Sequence, residues 1–316
     1  MALIKCPECK SKISNQASTC PKCGCPMSEE VIDNSNNDKS RKPFKAVLII
    51  AIVGVVIVAL GIGIGIPNYK YHKAIQLLKN NQYVEANNIL KELKIKKASK
   101  KARQIEHKVA QELVVKAQLG DIVKFGSYEQ DDDETNGAES IEWIVIAKDD
   151  EKTLLLSKYG LDSHKYYEYL DIYDEVTWEE SAIRQWLMRS FSKEAFNEDE
   201  RKIIVEGELV NEDNVEYGTN GGKNTLDQIF LLSTDEVKKY LTEEALRMCL
   251  PSEYAFSSCE VSINGKNGNC YWWLRSPGKN PTTAMCIGAH GEFIDNNSTA
   301  NRHNAVRPAI WINHTY

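Results

Sequence analysis

Four cysteines open the chain in two pairs, Cys6-Pro7-Glu8-Cys9 and Cys20-Pro21-Lys22-Cys23, with ten residues between them. Thiolates two residues apart turn toward a common centre, and two such pairs supply the four sulfur ligands of a tetrahedral zinc ion, with bonds of about 2.3 Å. Gly24 lets the chain turn tightly after the second pair. A segment of about 25 residues has no apolar core of its own, so metal binding is expected to supply its folding free energy. Four protein ligands close the site, which makes the expected cofactor a structural zinc held by Cys6, Cys9, Cys20 and Cys23. Cys25 is a fifth thiol, able to compete with Cys23.

A second set of chemistry-bearing residues lies near the C-terminus. Residues 278–304 are rich in Asn, Thr, Gly and His between two apolar runs. Such side chains make adaptable hydrogen bonds, as binding loops do. Asn296, Asn297, Asn301, Arg302 and His303 are the expected ligand contacts, against the alternative of an ordinary polar hairpin. Trp272, Trp273, Trp311 and Arg275 read either as a sugar-stacking platform or, at alternating strand positions, as core. Arg307, before Pro308, is expected to hold the terminal strand through a buried carboxylate or backbone carbonyls. Asp131, Asp133 and Glu142 approach calcium-loop spacing, but the glycine falls one position late, which favours a solvated acidic turn. No GxSxG, HExxH or phosphate-cradling glycine loop occurs. Cys249, Cys259, Cys270, Cys286, His164, His290 and His303 assemble no recognisable redox or iron site, so a binding role is expected over an enzymatic one.

Several elements must position these residues. Ala46 to Ile66 is an apolar and glycine run of 21 residues, expected to form a transmembrane helix about 30 Å long. Lys39, Arg41, Lys42 and Lys45 precede it, so the expected location is the cell membrane, single-pass, with the N-terminus cytoplasmic and the C-terminal domain extracellular. Residues 1–27 form the zinc ribbon, with a cytoplasmic protein as its expected partner, and residues 28–45 a polar and basic linker. Residues 67–118 show helical spacing broken at Asn80-Asn81. They are expected to form a helical stalk, able to pair with a second copy into a homo-oligomer. From residue 119 to 316, strand-like runs at 121–130, 141–149, 152–160, 272–277, 283–294 and 304–312 enclose a helical stretch at 176–191 and, at 230–241, a strand running into a helix capped by Ser233 or Thr234, an α+β pattern. This part carries 19 Lys and Arg against 36 Asp and Glu. So acidic a domain would be repelled by phosphate backbones, which excludes nucleic acid as the expected partner.

Resemblances add to this reading. The cysteine segment resembles the short bacterial zinc ribbons, and residues 71–93 resemble one tetratricopeptide hairpin. The motifs FGSYEQ, IEWIVI, LLLSKYGLD, VTWEESAIRQWL, GGKNTLDQIFLLSTDEV, YWWLRSPG and AVRPAIWI, in that order over 119–316, look like the bacterial family called domain of unknown function 6273. That resemblance implies a C-type lectin-like fold, similar to formylglycine-generating enzymes, and no catalytic residues. The function expected is that of a membrane-anchored surface protein whose extracytoplasmic domain binds an extracellular glycan or protein. The alternative is an exported oxidase-like enzyme of the formylglycine-generating type.

Overall fold

The computed structural model describes residues 3–27, 65–167, 175–264, 267–298 and 303–315. The chain divides into two compact units, Met1–Lys70 and Tyr71–Tyr316. In the first, strands Leu3–Lys5 and Lys12–Ser14 pair antiparallel, with Ile4 opposite Ile13. The hairpin and the knuckle after it bury only Cys6, Ile13, Cys20 and Met27. Two of these four core residues are members of the cysteine cluster.

The second unit is α+β, as expected. One antiparallel sheet orders Ile122–Tyr128, Glu139–Lys148, Lys152–Ser157, Ala309–Asn313 and Ile229–Phe230. A second sheet orders Phe293–Ser298, Thr283–Ile287, Trp272–Pro277, Ala305–Val306 and Asp162–Ser163, with Ala305–Val306 parallel to its Trp272–Pro277 neighbour. The last strands of the chain therefore join both sheets: residue 306 ends in one, and Ala309 begins in the other. Between them Arg307 is 1% exposed, its Nε donating to the Ser157 carbonyl at 2.9 Å and its guanidinium lying 4.9 Å from the Trp272 ring centre. Backbone carbonyls and an aromatic face hold this strand.

Trp143, Trp178, Trp272 and Trp273 are fully buried in one continuous core. Each buried indole N–H has an acceptor: Phe125 O at 2.7 Å, Asp227 at 2.8 Å, Arg247 O at 2.9 Å and His164 O at 3.0 Å. Trp272 and Trp273, consecutive on their strand and so on opposite faces of the sheet, are thus both core residues and not a platform. Gly126 has φ +68°, and a Cβ there would lie 2.5 Å from the Phe196 ring, so the motif glycine is required both by conformation and by packing.

Three expectations are corrected. The transmembrane helix over 46–66, and the single-pass membrane location read from it, are not upheld. No helix among the described residues is long and apolar enough to cross a membrane. Residues 46–64 lie outside the described residues, as does the linker 28–45, and the helical residues 65–79 carry Asn68, Lys70, His72, Lys73 and Lys79. The stalk is corrected too. Helices Tyr83–Glu92, Lys96–Gln104 and Glu106–Lys116 follow a turn at Asn81, whose φ of +56° an asparagine tolerates. They do not stand apart as a spacer: Val114 and Ala117 enter the main core, and buried Gln111 donates to Asn313 O at 2.9 Å and Thr315 O at 2.8 Å. Glu112 accepts the Val84 N–H at 2.8 Å, capping one helix of the group from another.

Helix bounds shift as well. The expected helix 176–191 begins only at Ala182, because Ser181 is the N-cap, accepting from Arg184 N–H at 3.2 Å. It passes through a π-helical turn at Leu187–Phe191. The helix Thr234–Tyr240 starts where expected, with a capping box between Ser233 and Glu236.

Candidate functional site

The two cysteine knuckles repeat one backbone design. Lys10 N–H donates to the Cys6 carbonyl at 3.0 Å, and Gly24 N–H to the Cys20 carbonyl at 2.8 Å. Lys10 (φ +58°) and Gly24 (φ +74°) both adopt the left-handed conformation that closes the turn. The four sulfurs of Cys6, Cys9, Cys20 and Cys23 all lie within 4.8 Å of one another, with Cys6 to Cys23 at 3.5 Å and Cys9 to Cys20 at 3.7 Å. Four thiols on one centre can hold a metal ion, so the residues fit the expected group. Ser11 hydrogen-bonds Cys9 and draws its thiol down to about 6, while the Cys6 thiol is lowered first by the Cys9 backbone N–H. Cys23, despite the Cys25 N–H that favours its thiolate, is pushed up to about 12 by the neighbouring Cys6 sulfur. So close a set of thiols cannot all ionise without a cation between them. Cys25 directs its sulfur to the Pro26 carbonyl at 3.6 Å and is not one of the four.

In the large unit a groove of about 690 Å³ lies between the loop 208–217 and the second sheet. The loop is built by its own side chains. Asp213 accepts from Gly221 N–H at 2.8 Å, Asn214 Nδ2 donates to Pro277 O at 3.0 Å, and Thr219 Oγ1 donates to Gly278 O at 2.5 Å. Tyr217 hydroxyl closes the span by hydrogen-bonding Asp295. Buried Arg275 braces the floor, donating to Leu231 O at 2.9 Å and pairing with Glu236. The lining includes Val210, Val215 and Phe293, with Val210 52% and Val215 93% exposed. Its carboxylates, Glu208, Glu212, Asp213, Glu216, Asp235 and Asp295 besides Glu236, outnumber Lys238 and Arg275. The aromatic faces nearby already carry cations: Lys152 over Trp311 at 4.6 Å, Lys279 over Tyr217 at 5.3 Å and Arg247 over Phe293 at 5.0 Å.

A smaller cleft of about 520 Å³ is bounded by Tyr128, Asp162, His164, Trp186, Tyr254 and Cys259. Tyr128 hydroxyl donates to Asp162, and the His164 and Trp186 ring centres are 4.0 Å apart. Burial, and then the negative charge of Asp162, push the Cys259 thiol up to about 12 and raise the Tyr128 hydroxyl as well. Cys249, Cys259, Cys270 and Cys286 are all free thiols, and all but Cys259 are buried.

Of the expected ligand residues that are described, Asn296, Asn297 and His303 line neither the groove nor the cleft. Asn296 is exposed on strand Phe293–Ser298. Asn297 Nδ2 lies 3.2 Å from Cys286 Sγ. His303 contacts the Glu260 carbonyl at 3.0 Å, beside the cleft. Asn301 and Arg302 lie outside the described residues. Asp131, with Glu129 and Glu139, forms a second group of ligand atoms within 4.8 Å, but Glu142 is elsewhere, paired with Lys158 at 2.8 Å. Asp133 is occupied by its own turn, accepting from Thr135 Oγ1 at 2.6 Å.

The fold and sites define an α+β domain with two solvent-open cavities, and a separate four-cysteine centre able to hold a metal ion. Residues 150–314 match a family described as Domain of unknown function (DUF6273), and the chain belongs to that family. No curated protein matches the chain, and no solved structure does. The C-type lectin-like fold implied by the resemblance therefore gains no support. The matched segment leaves out strands Ile122–Tyr128 and Glu139–Lys148, which complete the first sheet.

Proposed function

We propose that the large unit is a ligand-binding module whose ligand is a basic segment of another protein, seated in the groove of about 690 Å³. One observation carries the reading: exposed apolar side chains, Val210 and Val215, stand in a wall dominated by carboxylates. Apolar contacts with a charged surround are what a polypeptide with basic and aliphatic residues complements. A glycan is the weaker fit, since the rings on which a sugar would stack are covered by Lys152, Lys279 and Arg247. The oxidase-like alternative needs a reactive thiol in reach of substrate. Cys249 and Cys270 are buried, and Cys259, on the cleft wall, is held as the neutral thiol. Asn296 and its neighbours extend the same edge strand as Asp295 and enlarge the contact surface.

In the N-terminal unit the bound ion is zinc, the metal best matched by four thiolates, and its role is to fold the ribbon. Selection of the full chain against a displayed random-peptide library, with a glycan array in parallel, tests the binding reading. Enriched peptides should be basic and aliphatic, and should lose about tenfold in affinity on V215N, which removes the apolar contact without adding charge, about 1.4 kcal/mol. Glycan binding alone, or peptides indifferent to V215N, would overturn it.

A further inference from the structure

The four thiols of the large unit differ in their neighbours. Asn297 Nδ2 reaches Cys286 Sγ at 3.2 Å, and Cys259 lies on the cleft wall beside Asp162. Cys249 and Cys270 instead adjoin each other. Cys270 N–H donates to the Cys249 carbonyl at 2.8 Å, and Cys270 Sγ turns back to the same carbonyl at 3.4 Å. Backbone neighbours bonded in this way have Cα atoms about 5.5 Å apart, inside the range of about 4.4–6.8 Å that a disulfide spans.

The surroundings fix the segments that carry the two sulfurs and leave room for them. Gly160 N–H donates to Leu250 O at 2.9 Å, and Ser252 N–H to Gly160 O at 2.8 Å, so the residues after Cys249 are laced to one glycine. A Cβ on that glycine would lie 2.5 Å from the Ala305 Cβ and 3.4 Å from Cys270 Sγ, so a side chain there would press on the pair. Cys270 ends the strand Asn269–Cys270, and Trp272–Pro277 of the second sheet follows it directly. Burial opposes ionisation of Cys249, but the hydrogen bond from the Cys270 thiol, and then the charge of Arg307, draw it down to about 7. The same bond, with burial, raises Cys270. Cys249 is therefore the nucleophile of the pair, and Cys270 the thiol beside it.

We infer that Cys249 and Cys270 form a native disulfide on exposure to a small disulfide oxidant, stapling residues 249–252 to the strand that leads into the second sheet. The Cys249 thiolate attacks one sulfur of the oxidant and releases the other as a thiolate. The Cys270 thiolate then attacks the Cys249 sulfur of the mixed disulfide and releases the second thiolate. Two electrons pass to the oxidant, and the two protons lost by the chain leave on its thiols. Cys249 is 2% and Cys270 0% exposed, so the reaction occurs as the chain folds or opens locally, and the finished bond is enclosed. The pair is a cross-link and not a catalytic centre, and it is independent of the groove and of the peptide reading.

Refolding of the full chain with zinc, in glutathione buffers of graded oxidised-to-reduced ratio, followed by alkylation and peptide mapping, tests the inference. The Cys249–Cys270 linkage should accumulate as the ratio rises, while Cys259 and Cys286 remain alkylated. Tryptophan fluorescence reads the large unit alone, since all six tryptophans lie there. Closing a loop of roughly 20 residues should raise its folding equilibrium constant on the order of a hundredfold, seen as a higher urea midpoint in oxidising than in reducing buffer. C249A and C270A should each give one midpoint in both buffers, whatever their own stability. Pairing of either residue with Cys259 or Cys286, or glutathione adducts that never resolve to the internal bond, would overturn the inference. So would thiols alkylated at every ratio, or a cross-linked chain no more stable than the reduced one.

Discussion

The two units of this chain reach a defined structure by opposite means. The ribbon buries four residues, two of them cysteines of the cluster, so its sulfur centre is half of its core. The large unit buries four tryptophans in a continuous apolar cluster. We propose that in the first unit metal chemistry makes the fold, and that in the second apolar burial does.

The largest effect that can break this contrast is removal of the metal. Chelation, or C9S, should unfold residues 3–27 outright, because apparent zinc-binding free energies in such segments are about 10–16 kcal/mol. The thermal transition of the large unit should stay in place. Metal content with NMR of the full chain reads both, and a joint loss of structure would show that the units are not independent. Next comes W273A, which should cost about 3–5 kcal/mol in urea denaturation, through a cavity and the loss of the indole bond to His164 O. N296A, at an exposed position, should stay within about 0.5 kcal/mol. S233A is smaller than W273A, at about 1 kcal/mol, because it removes the cap that accepts Glu236 N–H at 3.1 Å. An S233A loss as large as that of W273A would mean that local helix ends, and not the core, limit the stability of this unit.

What was legible in the sequence follows the same division. The clustering of the four cysteines could be read from spacing alone, since two CxxC pairs within 18 residues can turn toward one centre. The strands Ile122–Tyr128, Glu139–Lys148 and Lys152–Ser157 could be read from their patterning, as could the burial of Trp272 and Trp273. The length and apolarity of residues 46–66 suggested a span that no described helix supplies. The stalk reading failed because an amphipathic stripe does not say what covers it. Here Val114, Ala117 and Gln111 meet the main domain, some 200 residues away in sequence for the Gln111 to Asn313 contact. The cavities were illegible for a related reason. Val215 and Asp295 share a groove, and Asp162 and Tyr254 share a cleft, only after two sheets have formed. That Asp162 is buried in the wall of this cleft is a property of the assembled wall, and nothing in LDSHKYY announces it.

Hydrogen exchange of the full chain, with and without a selected basic peptide, tests the binding role of the large unit most directly. Protection should rise at residues 208–217 and at the edge-strand residues 293–295, leaving the ribbon and the Asp162 cleft unchanged. Protection confined to the cleft or to the acidic turn 131–137, with the groove still exchanging freely, would contradict it.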